Sequence, residues 1–235
     1  MKKLLIASTS TVHGKGYLEY ILPELSVFFK GINEILFIPY ARPSGLSYEA
    51  YTDIAKKGFA KISINVRGIH EFDNALDAVN NAKGIFTGGG NTFLLVKELY
   101  DRKLITPIKY VVENGIPYFG TSAGSNITGI SMQNTNDMPI IYPPSFKTFG
   151  FINFNINPHY LDPNPSSKHM GETRETRINE YHTLNETPVL GIREGSWLDV
   201  NGSQVVLKGE LNARLFQQGK APTELPPETN LSFLM

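Results

Sequence analysis

Short uninterrupted apolar runs alternate with stretches of helical period through the first half of the chain. Leu4-Leu5-Ile6-Ala7 reads as a strand buried on both faces, followed by a polar loop and an apolar-periodic stretch over 17–29. Ile35-Leu36-Phe37-Ile38 is a second strand closed by Pro39, and a helical segment over 48–59 leads to a strand over 62–66. A short helix over 75–82 precedes the buried strand Gly84-Ile85-Phe86-Thr87, then a helical run over 93–100 and a strand over 116–119. This alternation predicts crossover units of the α/β class: a three-layer α/β/α sandwich around a mostly parallel sheet. After residue 120 the pattern changes. A strand over 151–156 is followed by Trp197-Leu198-Asp199-Val200, the turn pair Asn201-Gly202, and Gln204-Val205-Val206-Leu207, which together read as a C-terminal antiparallel hairpin. Residues 213–217 are expected as a third antiparallel strand. Pro222, Pro226 and Pro227 predict an extended tail packed outside.

The length of 235 residues suits one domain spanning 1–235, able to bury roughly 70–75% of its unfolded surface. Lys+Arg and Asp+Glu balance at 22 each, with no basic stripe or polybasic run, which argues against a nucleic-acid or membrane partner and for a small molecule. The chain has no cysteine, so disulfides, thiolate zinc sites and a cysteine nucleophile are excluded. The apolar run after Lys2 and Lys3 is too short for a signal-peptide core, and no stretch reaches the roughly 20 apolar residues of a membrane helix. A cytoplasmic protein, monomer or homodimer, is the expectation.

Gly120-Thr121-Ser122-Ala123-Gly124 follows the strand over 116–119 and matches G-x-S-x-G, the strand-to-helix turn that projects a serine hydroxyl above a sheet edge. Ser122 is the candidate nucleophile, and the amide of Ala123 can face a developing oxyanion. Gly88-Gly89-Gly90-Asn91-Thr92 follows another strand. It lacks the Lys-Ser/Thr of a P-loop, which leaves a plain tight turn or half of an oxyanion hole; its position beside the serine turn favours Gly89 and Gly90 in the oxyanion hole, with Asn91 expected to contact substrate. Of five histidines, His159 leads as base because it follows a strand end in Asn157-Pro158-His159, where open α/β sheets gather active groups. His182 lies in a helical pattern and reads as a surface or packing residue, and His169 with Glu172 lacks the spacing of metal ligands. No metal or cofactor is expected. An acid must orient the base, and Asp137 and Glu194 compete for that role. Arg174 and Arg177 lie three apart at a helix start and can share a face, as a solvated pair or a clamp for a substrate carboxylate.

Taken together, Phe37-Ile38-Pro39-Tyr40, the triple glycine, the serine turn, Asn136-Asp137-Met138-Pro139, Asn157-Pro158-His159 and Gly171-Glu172-Thr173-Arg174 resemble the peptidase E (α-aspartyl dipeptidase) family of serine peptidases over nearly the whole chain. The resemblance implies a fold like the class I glutamine-amidotransferase domain, and metal-free hydrolysis of the bond after an N-terminal aspartate in short peptides. It implies Ser122 as nucleophile and His159 as base. Asp137 matches the aspartate placed as third member, Glu194 remains a candidate for that role or for the substrate amine, and Arg174 would hold the aspartyl side chain. The stretch 160–170, with Pro163 and Pro165, is longer than the bacterial pattern. The alternatives are a cyanophycinase-like peptidase, since those relatives share the serine turn and triple glycine, and a non-catalytic anion-binding module.

Overall fold

The computed structural model describes residues 1–43, 45–163, 166, 168 and 171–235. His169 and Pro165 lie outside them. The first five strands are β1 (Lys3–Ala7), β2 (Glu34–Ile38), β3 (Asn65–Gly68), β4 (Ile85–Thr87) and β5 (Tyr118–Thr121), and every pairing among them is parallel. Beyond β6 (Asn155–Pro158) and β7 (Val189–Ile192) comes the expected hairpin, β8 (Ser196–Asn201) and β9 (Gln204–Gly209), which pairs antiparallel along β1. These form a seven-stranded sheet in the order β3-β2-β4-β5-β1-β8-β9.

The period-2 alternation hidden in the apolar runs divides them between two cores. In β1, Leu4 and Ile6 join one cluster while Leu5 and Ala7 join the other. The second cluster is covered by α1 (Leu22–Phe28) and α2 (Tyr48–Ala60), and the first by α3 (Ala75–Asn81), α4 (Thr92–Asp101) and α5 (Ile105–Glu113). Layers on both faces give the α/β/α sandwich. Helix starts follow their caps: Ser47 accepts from Ala50 N, Asn74 from Leu76 N and Asn91 from Leu94 N. No helix among the described residues is long and apolar enough to cross a membrane.

Some elements differ from the sequence pattern. The stretch 17–29 splits into a 3-10 turn (Glu19–Ile21) and α1, with Pro23 in the first helical turn. Residues 61–64 do not begin β3. They wrap the end of α2, with Ile64 N donating to Phe59 O and Ser63 at φ 59. Phe151 N donates to Thr128 O, so the aromatic run near 151 packs into the core as turns and the strand starts only at Asn155. The strand near residue 213 does not extend the hairpin. It is β10 (Ala213–Phe216), which pairs antiparallel with β7 and with β11 (Thr223–Leu225) in a separate four-stranded sheet, β11-β10-β7-β6. Within that sheet β6 and β7 run parallel, with Pro158 opposite Ile192. The tail is partly a strand, and Asn230 bridges to Val206.

Candidate functional site

Loops leaving the C-terminal ends of β1, β4, β5, β6 and β7 meet at one place, where the two sheets adjoin. The turn between β5 and α6 (Ala123–Asn126) carries Ser122 at φ 54 and ψ −113. Such a conformation costs a non-glycine residue about 1–3 kcal/mol, and the surroundings over-determine it. Ser122 N donates to Ala7 O, while Ser122 O accepts from Ser125 N and Asn126 N, both at 2.9 Å. Tyr118 Oη donates to Gly124 O at 2.8 Å. The motif's glycines answer to backbone crowding: a Cβ on Gly124 would stand 2.2 Å from Thr87 O, and one on Gly120 2.5 Å from Gly124 O.

The loop after β4 lies alongside. A Cβ on Gly89 would stand 2.8 Å from Ser122 Cβ, so only glycine lets this backbone approach the hydroxyl. Gly90 takes φ 144, and Tyr51 Oη donates to Gly89 O at 3.2 Å. Among the described residues the amides of Gly89, Gly90 and Ala123 donate to no protein acceptor, which leaves them for an anionic oxygen. Asn91 departs from the expectation of substrate contact. Its Oδ1 caps α4 and its Nδ2 donates to Met138 O at 2.8 Å, so both ends of the amide are used internally.

His159 closes β6 and, like Ser122, sits at positive φ (52). Its Nε2 lies 2.9 Å from Ser122 Oγ, and its Nδ1 2.6 Å from Glu194 Oε1. With a carboxylate at Nδ1 the ring proton sits there, so Nε2 presents its lone pair to the serine O–H. The β6–β7 register sets up this row, because His159 and Glu194 follow the paired ends Pro158 and Ile192. Ser8, a residue the sequence offered no signal for beyond its place after a strand, fastens the junction. Its Oγ donates to Ile192 O at 2.7 Å and accepts from His159 N at 2.9 Å, buried from solvent.

Asp137 is not part of this row. Its Oδ2 accepts from Thr92 N at 2.7 Å and Thr92 Oγ1 at 2.6 Å, binding its loop to the start of α4 behind the glycine turn. The carboxylate that meets the imidazole is that of Glu194. Around Asp137, asparagines hold β6 in place: Asn134 Nδ2 donates to Ile156 O, and Asn136 Nδ2 to Pro158 O.

A cavity of about 430 Å³ opens beside the row, bordered by His159, Glu194, Asp162, Arg193 and Arg174. Thr173 caps α7 (Arg174–Tyr181), which places Arg174 in its first turn. Arg174 makes no hydrogen bond or ion pair among the described residues. Burial, then the neighbouring Arg177, lower its guanidinium from the ordinary value, and Asp137 only partly opposes them. Desolvation without a partner makes this cation a ready acceptor of an anion. The two-arginine clamp does not form: Arg177 approaches Glu172 at 3.4 Å and borders a different recess. His182 is a buried packing residue whose Nδ1 lies 3.0 Å from Asn185 O.

An α/β sandwich with a Ser–His–Glu row at a nucleophile turn defines a protein of the serine-hydrolase class. Residues 4–208 match the family model described as Peptidase family S51. The chain is 47% identical over 232 residues to peptidase E of Streptomyces coelicolor, covering 99% of this chain and 94% of that protein. It is 43% identical to the probable alpha-aspartyl dipeptidase of Drosophila melanogaster, covering 100% and 98%. It therefore belongs to peptidase family S51. In fold it is similar to a peptidase from an acI-B1 actinobacterium (TM-score 0.73, 17% identity, covering 99% of this chain and 97% of that one). It is also similar to a putative peptidase E from Listeria monocytogenes (TM-score 0.67, 20% identity, covering 89% and 98%).

Proposed function

We propose that this chain is a serine-type dipeptidase that hydrolyses the peptide bond after an N-terminal aspartate in dipeptides and short peptides. The observation that carries the reading is Arg174, a guanidinium on the same cavity as His159 and Glu194 with no partner among the described residues. A substrate carboxylate placed there gains charge-assisted, bidentate hydrogen bonds. A neutral side chain would leave the cation desolvated and unpaired, which favours aspartate strongly. The reading also rests on likeness to relatives named peptidase E and alpha-aspartyl dipeptidase.

In this mechanism Ser122 Oγ attacks the carbonyl carbon of the N-terminal residue while His159 Nε2 takes its proton. Glu194 holds the imidazole and stabilises the imidazolium that forms. The oxyanion is received by amides of the Gly89–Gly90 turn and Ala123, each such donor being worth about 3 kcal/mol in comparable sites. His159 then protonates the leaving amine, and water releases aspartate from the acyl-enzyme by the reverse proton route. A cytoplasmic setting belongs to the same proposal and is checked by cell fractionation.

The test is turnover of Asp-X dipeptides or an aspartyl anilide by the wild-type chain and by Ser122→Ala. Turnover that survives Ser122→Ala, or equal rates on asparaginyl substrates, overturns the reading.

A further inference from the structure

Arg193 and Arg174 border the same cavity, yet the protein treats them oppositely. Arg174 has no hydrogen-bond or ion-pair partner among the described residues. Arg193 has all five N–H donors engaged: Nε and Nη2 donate to the two oxygens of Asp162 at 2.8 and 2.7 Å, Nη1 and Nη2 to those of Glu224 at 3.0 and 2.9 Å, and Nη1 also to Asn212 O at 2.7 Å. Glu224 does more than neutralise it. Arg214, its cross-strand neighbour on β10, donates to Glu224 at 3.1 Å and reaches Glu175 at 2.9 Å.

The network ends beside two site residues in sequence. Arg193 immediately precedes Glu194, and Glu175 immediately follows Arg174. A single carboxylate on the edge strand β11 thus joins the backbone that presents the histidine's acid to the backbone that presents the free arginine. The arginines of this network keep 15% and 25% side-chain exposure, less than an ordinary surface pair, and the bidentate forks fix direction as well as distance.

We propose that Glu224 is a positioning residue that sets Glu194 and Arg174 at their working separation, through Arg193 on one side and Arg214–Glu175 on the other. It touches no substrate. The inference rests on the proposed dipeptidase reading for its Arg174 branch only, because the Glu194 branch acts on serine reactivity with any acylating reagent.

Three variants separate the branches. Glu175→Gln loosens only the Arg174 side, Asp162→Asn only the Glu194 side, and Glu224→Gln both. With an aspartyl anilide, Glu175→Gln should raise KM about fivefold to tenfold and leave the rate of Ser122 labelling by a fluorophosphonate unchanged. Asp162→Asn should slow labelling several-fold with little change in KM. Glu224→Gln should show both effects, and Glu224→Asp should recover part of each. Wild-type values for both readouts in folded Glu224→Gln overturn the proposal. So does an identical pattern from Glu175→Gln and Asp162→Asn, since that would be general loosening. If the wild-type chain labels but does not cleave the anilide, the dipeptidase reading fails while the labelling arm still decides the Glu194 branch.

Discussion

Glu194 Oε1 lies 2.6 Å from His159 Nδ1, although the two side chains keep 49% and 36% of their exposure. The acid therefore works at the rim of the site, in a more screened setting than a buried triad carboxylate. Its share in orienting the imidazole survives that screening, whereas its electrostatic share is reduced.

Glu194→Gln should accordingly lower kcat/KM on an aspartyl substrate by about 10²-fold, short of the ~10⁴ lost when a buried triad aspartate becomes asparagine. Asp137→Asn should cost less activity. Its damage is to the start of α4, where the bond from Thr92 N loses its charged acceptor and stability falls by roughly 1 kcal/mol. Steady-state kinetics and thermal melts on both variants check this. A larger activity loss in Asp137→Asn than in Glu194→Gln would reverse the assignment.

Ser8 is the small residue that ties three chain segments at the site. Ser8→Ala removes an O–H donor from Ile192 O in a buried bond and an acceptor from His159 N in a part-buried one. We expect a loss of about 1–3 kcal/mol in stability, read from denaturant midpoints. Fluorophosphonate labelling should also slow, because this bond anchors the backbone of His159, which sits at positive φ. Stability loss with unchanged labelling would show that Ser8 is only a structural fastener.

The sequence made the serine turn and the parallel half of the fold legible because their signals are local. Gly120 and Gly124 are dictated by contacts within the turn and with the next strand, and the runs at 4–7, 35–38 and 85–87 are buried on both faces. Of the second sheet, strands near β6 and β10 were legible, but β7 and the pairing were not. Its β7 is only four residues, Val-Leu-Gly-Ile, and Gly191 makes it a poor strand by propensity; a Cβ there would press on the Tyr160 ring at 2.6 Å. Missing β7 hid the register that brings Glu194 beside His159. Without that register, sequence alone leaves Asp137 and Glu194 equivalent as partners of His159. Arg193 and Glu224, 31 residues apart, were invisible for the same reason, since their meeting depends on β10 pairing with both β7 and β11.

The ion network around Glu224 also fixes a pH dependence of stability. Hydrogen bonds from Arg193 hold the Asp162 and Glu224 carboxyls below their usual range. Depressed carboxyl values contribute stability that is present above the unfolded-state value and lost as pH falls through the folded one. The wild-type melting temperature should thus drop as pH is lowered below about 4, the ordinary carboxylate range. Glu224→Gln should show a shallower drop over the same interval, and identical slopes in the two proteins would deny the network any share in acid stability.

Arg174 offers the opposite case, a residue whose removal should hurt function and not stability. Folding leaves its guanidinium partly desolvated, repelled by Arg177 and, among the described residues, without a hydrogen-bonded partner. Arg174→Gln abolishes that unfavourable charge, so the melting temperature should hold or rise slightly. On aspartyl substrates kcat/KM should fall by about 10²–10³, roughly the 3–4 kcal/mol of a charge-assisted pair lost from a desolvated site. The rate on asparaginyl substrates should change little, collapsing the preference for aspartate. Measured side by side, the two substrates and the melt separate a carboxylate receptor from a structural arginine. A variant that melts lower and loses both substrates equally would mark Arg174 as part of the scaffold.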